Sequence, residues 1–411
     1  MAATSITMKR ARRVARIFDE VKGQTGSNWS ALIYTGRYVL AKLPYLWRRA
    51  RRFGRPARNL RAGVAREMAN LPPDTAYVAV LATGGLGDYI IVARFMRDLA
   101  AQCGPLAFDV FANNPVLAKW VFAAVDGVRT VREELHYDAG RAAYDLALRA
   151  SQIVIVDDVS PVPRQPALRK ACAEIGRNAS SLMPFVERHP YWDNFLAQTL
   201  VFANRTRSGA MQDIAGLPYG GDRLPIAADN DVLARHGLTP GSYVTLHNGF
   251  DPQFFVTSNR ATKCYPHFGQ VVHLLKQTMP HLRIVQLGTS TSDPVEEADL
   301  NLIGATTLRE AAALVANARL HVDNEGGLVH LARCYGVQSC VVFGPTPANY
   351  FGYADNINIA PPVCGGCWWI TETWMDTCPR GYETPRCLSE QDPQNVANAI
   401  LKVLAPAPGQ A

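Results

Sequence analysis

Two apolar strands that each run into a glycine-rich turn and then a helix constrain this chain most: YVAVLATGGLGDYIIVARFMRDLA from residue 77 and LHVDNEGGLVHLARCYGVQSCVVFGPT from residue 320. A strand that passes through a tight turn into a crossover helix is the building unit of a parallel sheet. The first series predicts a strand over 77–82, a helix over 89–102 and strands near 108–111 and 153–156. The second predicts strands over 243–247, 283–287, 320–323 and 339–343, with helices over 268–279, 308–318 and 328–335. With 411 residues, 48% of them hydrophobic, the chain has enough apolar material for two cores. The expected fold is α/β with two Rossmann-like domains. Gly, Pro and Asp punctuate 209–240, so the connection falls there, and the domains are expected at 73–235 and 236–411.

The net charge of +7 conceals an asymmetry. Residues 1–72 carry 16 Lys and Arg against Asp19, Glu20 and Glu67, so the rest of the chain is acidic. Within this arm, 9–22 and 48–66 set Arg between Val14, Ile17, Phe18, Phe53, Leu60 and Val64 at helical spacing, which predicts two interfacial helices. Between them, 29–47 is apolar, but Arg37, Lys42 and Pro44 interrupt it before about 18 apolar residues accumulate, so no membrane span is expected. The opening MAATSITMKR has no apolar core of a secretory signal, so a cytoplasmic protein is expected, peripheral on the inner face of the membrane. Anionic lipid is the expected partner, with Trp29, Tyr34, Tyr38, Tyr45 and Trp47 for the interface and about 1 kcal/mol from each basic residue at the surface. A solvated basic tail is the competing account, and nucleic acid is the less favoured partner.

In the first turn, Gly84, Gly85 and Gly87 permit a sharp bend and close approach of a ligand to the helix N-terminus. The spacing is not that of a dinucleotide-binding loop, and Asp88 at the helix entrance would oppose a pyrophosphate. Asp88 therefore has two open roles, a helix cap or a general base for an acceptor hydroxyl.

In the second turn, the N–H groups of Gly326, Gly327 and Leu328 suit a diphosphate at the helix N-terminus, and Glu325 suits the hydroxyls of a sugar or ribose. His330 either faces the same ligand or packs in the first turn of the helix. The stretch LHNGFDPQFFVTSNRATKCYP adds Asn248, Gly249, Thr262 and Lys263, and the Lys263 ammonium can stabilise a departing diphosphate.

GGLGD after the first strand, TKCYP, the LIGATTLREAAALVANARL run, and EGGLVHLARCYG followed by FGPT together resemble family 9 glycosyltransferases, the group of the ADP-heptose heptosyltransferases. The resemblance spans about 75–400 and implies a GT-B-like fold, two domains facing a cleft, in which an inverting, metal-independent transfer uses a nucleotide sugar held by the C-terminal half. It implies Asp88 as base, Lys263 on the diphosphate, and Glu325, Gly327 and His330 on the donor, with Asn248 and Thr262 as lesser contacts. The chain departs from the family pattern where Glu325-Gly326-Gly327 replaces Asp-Ser/Thr-Gly and where Tyr265 replaces a Trp. ADP-heptose is the donor this implies, and a surface glycan or protein is the acceptor.

Cys364, Cys367, Cys378 and Cys387 form C-x2-C-x10-C-x8-C within a loop over 364–387. Four thiolates can close a tetrahedral structural site for zinc, and a comparable segment in the autotransporter heptosyltransferases, to which this one is similar, makes iron the alternative. No catalytic cofactor is expected. The competing function is a non-enzymatic adaptor that binds membrane or nucleic acid through the arm and uses the cysteines as a staple.

Overall fold

The structure, a computed structural model, describes residues 2–52, 58–159, 165–188, 199–258 and 260–405. The chain divides into two compact units, Met1–Gly221 and Asp222–Ala411.

The first unit holds a five-stranded sheet in the order β3-β2-β1-β4-β5, built from β1 (Ala76–Ala82), β2 (Leu106–Ala112), β3 (Val128–Glu133), β4 (Leu146–Ala150) and β5 (Val154–Val159). β1 and β2 are buried almost throughout, which explains their nearly continuous apolar runs. The expected strand at 153–156 is β5, and it runs antiparallel to β4. A three-residue turn at Ser151, Gln152 and Ile153 joins them, closed by Ser151 N–H donating to Ile153 O, and so short a link permits only an antiparallel return.

Three helices precede this sheet, α1 (Ala2–Thr25), α2 (Asn28–Arg52) and α3 (Arg58–Ala69). α1 and α2 pack on each other through Ile17, Val21 and Ala31, with Phe18, Tyr34 and Tyr38 alongside. α3 buries Val64 against Tyr77, Phe111 and Tyr144. These positions correct the expected interfacial pattern, because Ile17 and Val64 are spent on internal packing. The stretch 48–66 is also not one helix: α2 runs through Pro44 to Arg52, α3 starts at Arg58, and 53–57, with Phe53, lie outside the described residues. Among the described residues no helix is long and apolar enough to cross a membrane.

The second unit holds a six-stranded parallel sheet in the order β11-β10-β9-β6-β7-β8. Its strands are β6 (Tyr243–Leu246), β7 (Arg283–Gly288), β8 (Leu300–Ile303), β9 (Leu320–Asn324), β10 (Ser339–Val342) and β11 (Ile357–Ile359). Alternate residues feed two cores. Val244, Ile284 and Val322 pack under the helices Phe268–Thr278 and Pro393–Leu404, while Tyr243, Val285 and Leu287 pack against Leu308–Ala316 on the opposite face. Thr307 and Glu310 start Leu308–Ala316 with a reciprocal capping box.

The boundary at Gly221 lies inside the expected 209–240 connection but ahead of 235/236. Val232, Leu233 and Leu238 are buried in the second core, so 222–235 belong to the second unit rather than to the first.

Candidate functional site

In an open parallel sheet, ligands bind beyond the carboxyl ends of the strands, where the strand order reverses. That point falls between β1 and β4 in the first unit, and between β6 and β9 in the second. The turns read from the sequence emerge there.

In the first unit, α4 (Leu86–Cys103) follows β1 through the glycine turn. Gly84 has φ +130°, and a Cβ on it would collide with Asp88 Oδ2, so both backbone and space demand glycine. Asn113, beyond β2, pins the turn by accepting from Gly84 N–H (3.0 Å) and donating to Gly84 O (3.2 Å). Asp88 Oδ2 accepts from Gly85 N–H at 3.1 Å, the capping role. Oδ1 accepts from Gln152 Nε2 and from Arg207 Nη2, each at 2.9 Å. These bonds occupy three of about four lone-pair positions on the carboxylate and leave one for an incoming proton donor. Arg207 is buried and also donates to Ser151 O at 2.8 Å. Arg207 and Gln152 carry no local sequence signal, for they lie 119 and 64 residues from Asp88.

In the second unit, Lys263 and Glu325 form a largely buried ion pair, Nζ to Oε2 3.3 Å. Burial works against the Lys263 ammonium, but the charges of Glu325, Cys264 and Asp323 outweigh it and hold its pKa above the usual lysine value. Glu325 leads into the helix Gly327–Tyr335, whose opening at Gly326 and Gly327 follows β9 directly. Asn324 holds the neighbouring loop in place, accepting from Tyr265 N–H at 2.8 Å and donating to Gly249 O at 3.4 Å.

Other expected donor residues have structural duties. The Asn248 amide donates to Asp293 O (2.7 Å) and accepts from Gln286 Nε2 (3.2 Å). Thr262 is buried, its hydroxyl donating to Trp374 O (2.5 Å) and its N–H to Met375 O (2.9 Å), so it ties the Lys263 loop to the cysteine segment. His330 is buried with Nδ1 2.6 Å from Tyr353 Oη and the rings edge to face.

Two residues absent from the sequence argument stand beside these. Asp323, fully buried at the end of β9, lies 2.7 Å from His247 Nδ1 and 3.2 Å from His321 Nε2. Burial raises its pKa, but the charges and hydrogen bonds of the two histidines prevail and hold it below the usual carboxylate range. His247 directly follows β6, and a histidine or carboxylate at the carboxyl end of a strand was the available signal.

The cysteine segment has a small aromatic core. Trp368 packs on Tyr350 and Phe351, and Trp369 and Trp374 pack on each other and on Phe254. Burial, then the adjacent thiols of Cys364, Cys367 and Cys378, push Cys387 up to about 12. As a donor set, four thiolates suit zinc or iron. Among the described residues, however, no three or more His, Cys, Asp or Glu are grouped so as to hold a metal ion, so the fit is one of chemistry and not of arrangement.

Residues 253–361, which include Lys263, Glu325 and the helix after β9, match the model of glycosyltransferase family 9 (heptosyltransferase). No curated protein matches the chain. Among solved structures, the iron-containing dodecameric glycosyltransferase TibC from enterotoxigenic E. coli H10407 is 13% identical, covering 82% of this chain and 80% of that one, with a TM-score of 0.50. TibC in complex with ADP-D-beta-D-heptose gives 14% identity, 80% and 76% coverage and a TM-score of 0.50. E. coli ADP-heptose lps heptosyltransferase II gives 16%, 80% and 98%, with a TM-score of 0.48. At such identities the likeness to TibC is one of fold, two parallel-sheet α/β domains of GT-B type. The family match falls on the loops that carry the buried Lys263–Glu325 pair, so this part of the second unit is similar to family 9 glycosyltransferases.

Proposed function

We propose that the protein transfers a heptose, with inversion, from an ADP-linked donor to a hydroxyl of a surface glycan or protein. The observation that carries this is the Lys263 ammonium, kept charged in a largely buried pocket at the carboxyl ends of β6 and β9, next to an open helix N-terminus. Such a pocket absorbs the negative charge that develops on a departing diphosphate. The acceptor oxygen forms a bond to the anomeric carbon while the bond from that carbon to the diphosphate oxygen breaks. The electron pair leaves with the diphosphate, and the acceptor proton passes to Asp88. Glu325 holds donor hydroxyls. The ADP-D-beta-D-heptose bound by TibC supports this donor class. The adaptor alternative is not favoured, because it leaves the family match unexplained.

The test is turnover with ADP-heptose, UDP-glucose and GDP-mannose as donors, read as release of the nucleoside diphosphate. ADP release with wild type that falls at least about a hundredfold in Lys263→Ala is expected. Equal release in the variant overturns the assignment.

The exposed face of α2 supports anionic membrane as the partner of the arm: Trp29, Leu32, Ile33, Leu40, Leu43 and Trp47 line one side of the helix. The four cysteines are proposed to hold a structural iron or zinc ion, and elemental analysis of anaerobically purified protein tests this. About one metal ion per chain, lost in Cys364→Ser with Cys367→Ser, is the expected result, and metal-free active protein overturns it.

A further inference from the structure

Lys263 stands in a long loop that has no regular structure of its own. Between β6, which ends at Leu246, and the helix Phe268–Thr278, the described residues form neither helix nor strand. Irregular loops of that length are uncommon in compact domains, and their order has to come from what they pack against. After Lys263 it comes from the end of β9, where Asn324 accepts from Tyr265 N–H at 2.8 Å. Before Lys263 it comes from the cysteine segment.

Separate groups make that second connection. Phe254 packs on Trp369 and Trp374, with ring centroids 6.3 and 6.2 Å apart. The N–H and the hydroxyl of Thr257 donate to Asp376 Oδ1 at 2.6 and 2.9 Å. Thr262, next to Lys263 in the chain, donates from its hydroxyl to Trp374 O at 2.5 Å and from its N–H to Met375 O at 2.9 Å. Thr262, Trp374 and Met375 are all buried, so water does not stand in for these two bonds when they break. The other tie before Lys263, the Arg260–Asp293 ion pair, is exposed and therefore weak.

The Lys263 ammonium has Glu325 as its partner at 3.3 Å, but a departing diphosphate takes a share of the same charge. The backbone must then hold the charge where it is needed, and a displacement of about 1 Å can cost on the order of 10²-fold in rate. Any shift of 374–376 reaches Lys263 through Thr262.

We propose that Trp374, Met375 and Asp376 are positioning residues for the transfer: through Thr262 and Thr257 they fix the backbone that carries the Lys263 ammonium. The cysteine segment thus supports the donor site without placing a side chain in it. The inference rests on the assignment of Lys263 to a departing diphosphate.

A double-mutant cycle on the full chain tests this, read as release of the nucleoside diphosphate from ADP-heptose in a single turnover with enzyme in excess, so that slow variants stay measurable. Thr262→Val and Asp376→Ala are each expected to slow release roughly 10- to 100-fold. Thr262→Ser keeps the hydroxyl donor and Asp376→Asn keeps an acceptor oxygen, so each should recover most of the loss. In a Lys263→Ala background the same two substitutions should cost less than about twofold more, because the group they position is gone. Thr257 is exposed, so Asp376→Ala keeps the test valid should Thr262→Val fail to fold. Wild-type release by both variants, or losses that add in full to that of Lys263→Ala, overturn the positioning role while the role of Lys263 stands. If Lys263→Ala releases as fast as wild type, or wild type releases nothing from any of the three donors, the assignment of Lys263 falls and takes this proposal with it.

Discussion

Asp88 illustrates how one side chain can hold a helix end and still be left with chemistry to do. Its Oδ2 caps α4 at Gly85, and its Oδ1 is shared between Gln152 and the buried Arg207 guanidinium. Deleting the carboxylate leaves Arg207 with only the carbonyl oxygens of Ser151 and Gln152. Asp88→Asn and Asp88→Ala should therefore lose turnover alike, about 10²- to 10⁴-fold as for a lost general base, yet differ in stability. The alanine variant should unfold at lower urea, by about 1–3 kcal/mol relative to the asparagine variant, whose single amide oxygen can still accept from Gln152 and Arg207 though not also from Gly85. Steady-state rates together with urea midpoints check this. Near-normal turnover by Asp88→Asn would leave Asp88 as a cap and nothing more.

At the scale of elements, legibility followed burial with two exceptions in the first sheet, where the edge strand β5 is read near 153–156 and the interior, mostly buried β4 (LALRA) is missed. β1, β2, β6, β7, β9 and β10 sit inside their sheets and read as apolar runs, while the edge strands β3 (VRTVRE), β8 (LNLI) and β11 (INI) carry polar residues and show no pattern. Lys263 and Glu325 were legible because each stands in a short local motif, whereas the pairing of Asp88 with Arg207 and the relay through Asp323 depend on strand order. α2 was half legible: its apolar positions were visible, but the division between those packed on α1 and those facing water was not. Trp29, Leu40 and Trp47 are 70%, 64% and 57% exposed and span about 27 Å of helix. Each such side chain leaving water contributes about 1–2 kcal/mol, and the basic arm adds attraction to acidic headgroups that salt screens. The protein should co-sediment with vesicles containing phosphatidylglycerol and far less with pure phosphatidylcholine, and Leu40→Glu with Trp47→Ser should weaken this at least about tenfold. If those substitutions instead abolish self-association in sedimentation velocity and leave vesicle binding intact, a second copy of the chain is what covers the helix.

At the scale of the whole molecule, each unit has its own sheet, and charged side chains of the second unit carry acid-sensitive stability. Asp323 and Asp299 both have pKa values held below the usual carboxylate range: burial opposes this in each, His247 and His321 overcome it at Asp323, and Lys276 with the Ile284 N–H does so at Asp299. A carboxylate whose folded pKa lies below its unfolded value, about 3.9 for Asp, contributes stability above that value and loses it as pH falls further. Urea midpoints should thus fall as pH drops below about 4, and less steeply in Asp299→Asn. Ligand linkage acts on the same unit in the opposite sense. ADP at a hundred times its dissociation constant adds about 2.7 kcal/mol to whatever folded body binds it. Amide exchange with and without ADP should accordingly slow at 247–249, 291–293 and 324–328, the loops after β6, β7 and β9, while amides of β1 to β5 exchange as before. Protection confined instead to 84–88 would move the nucleotide to the first unit and take the diphosphate role away from Lys263.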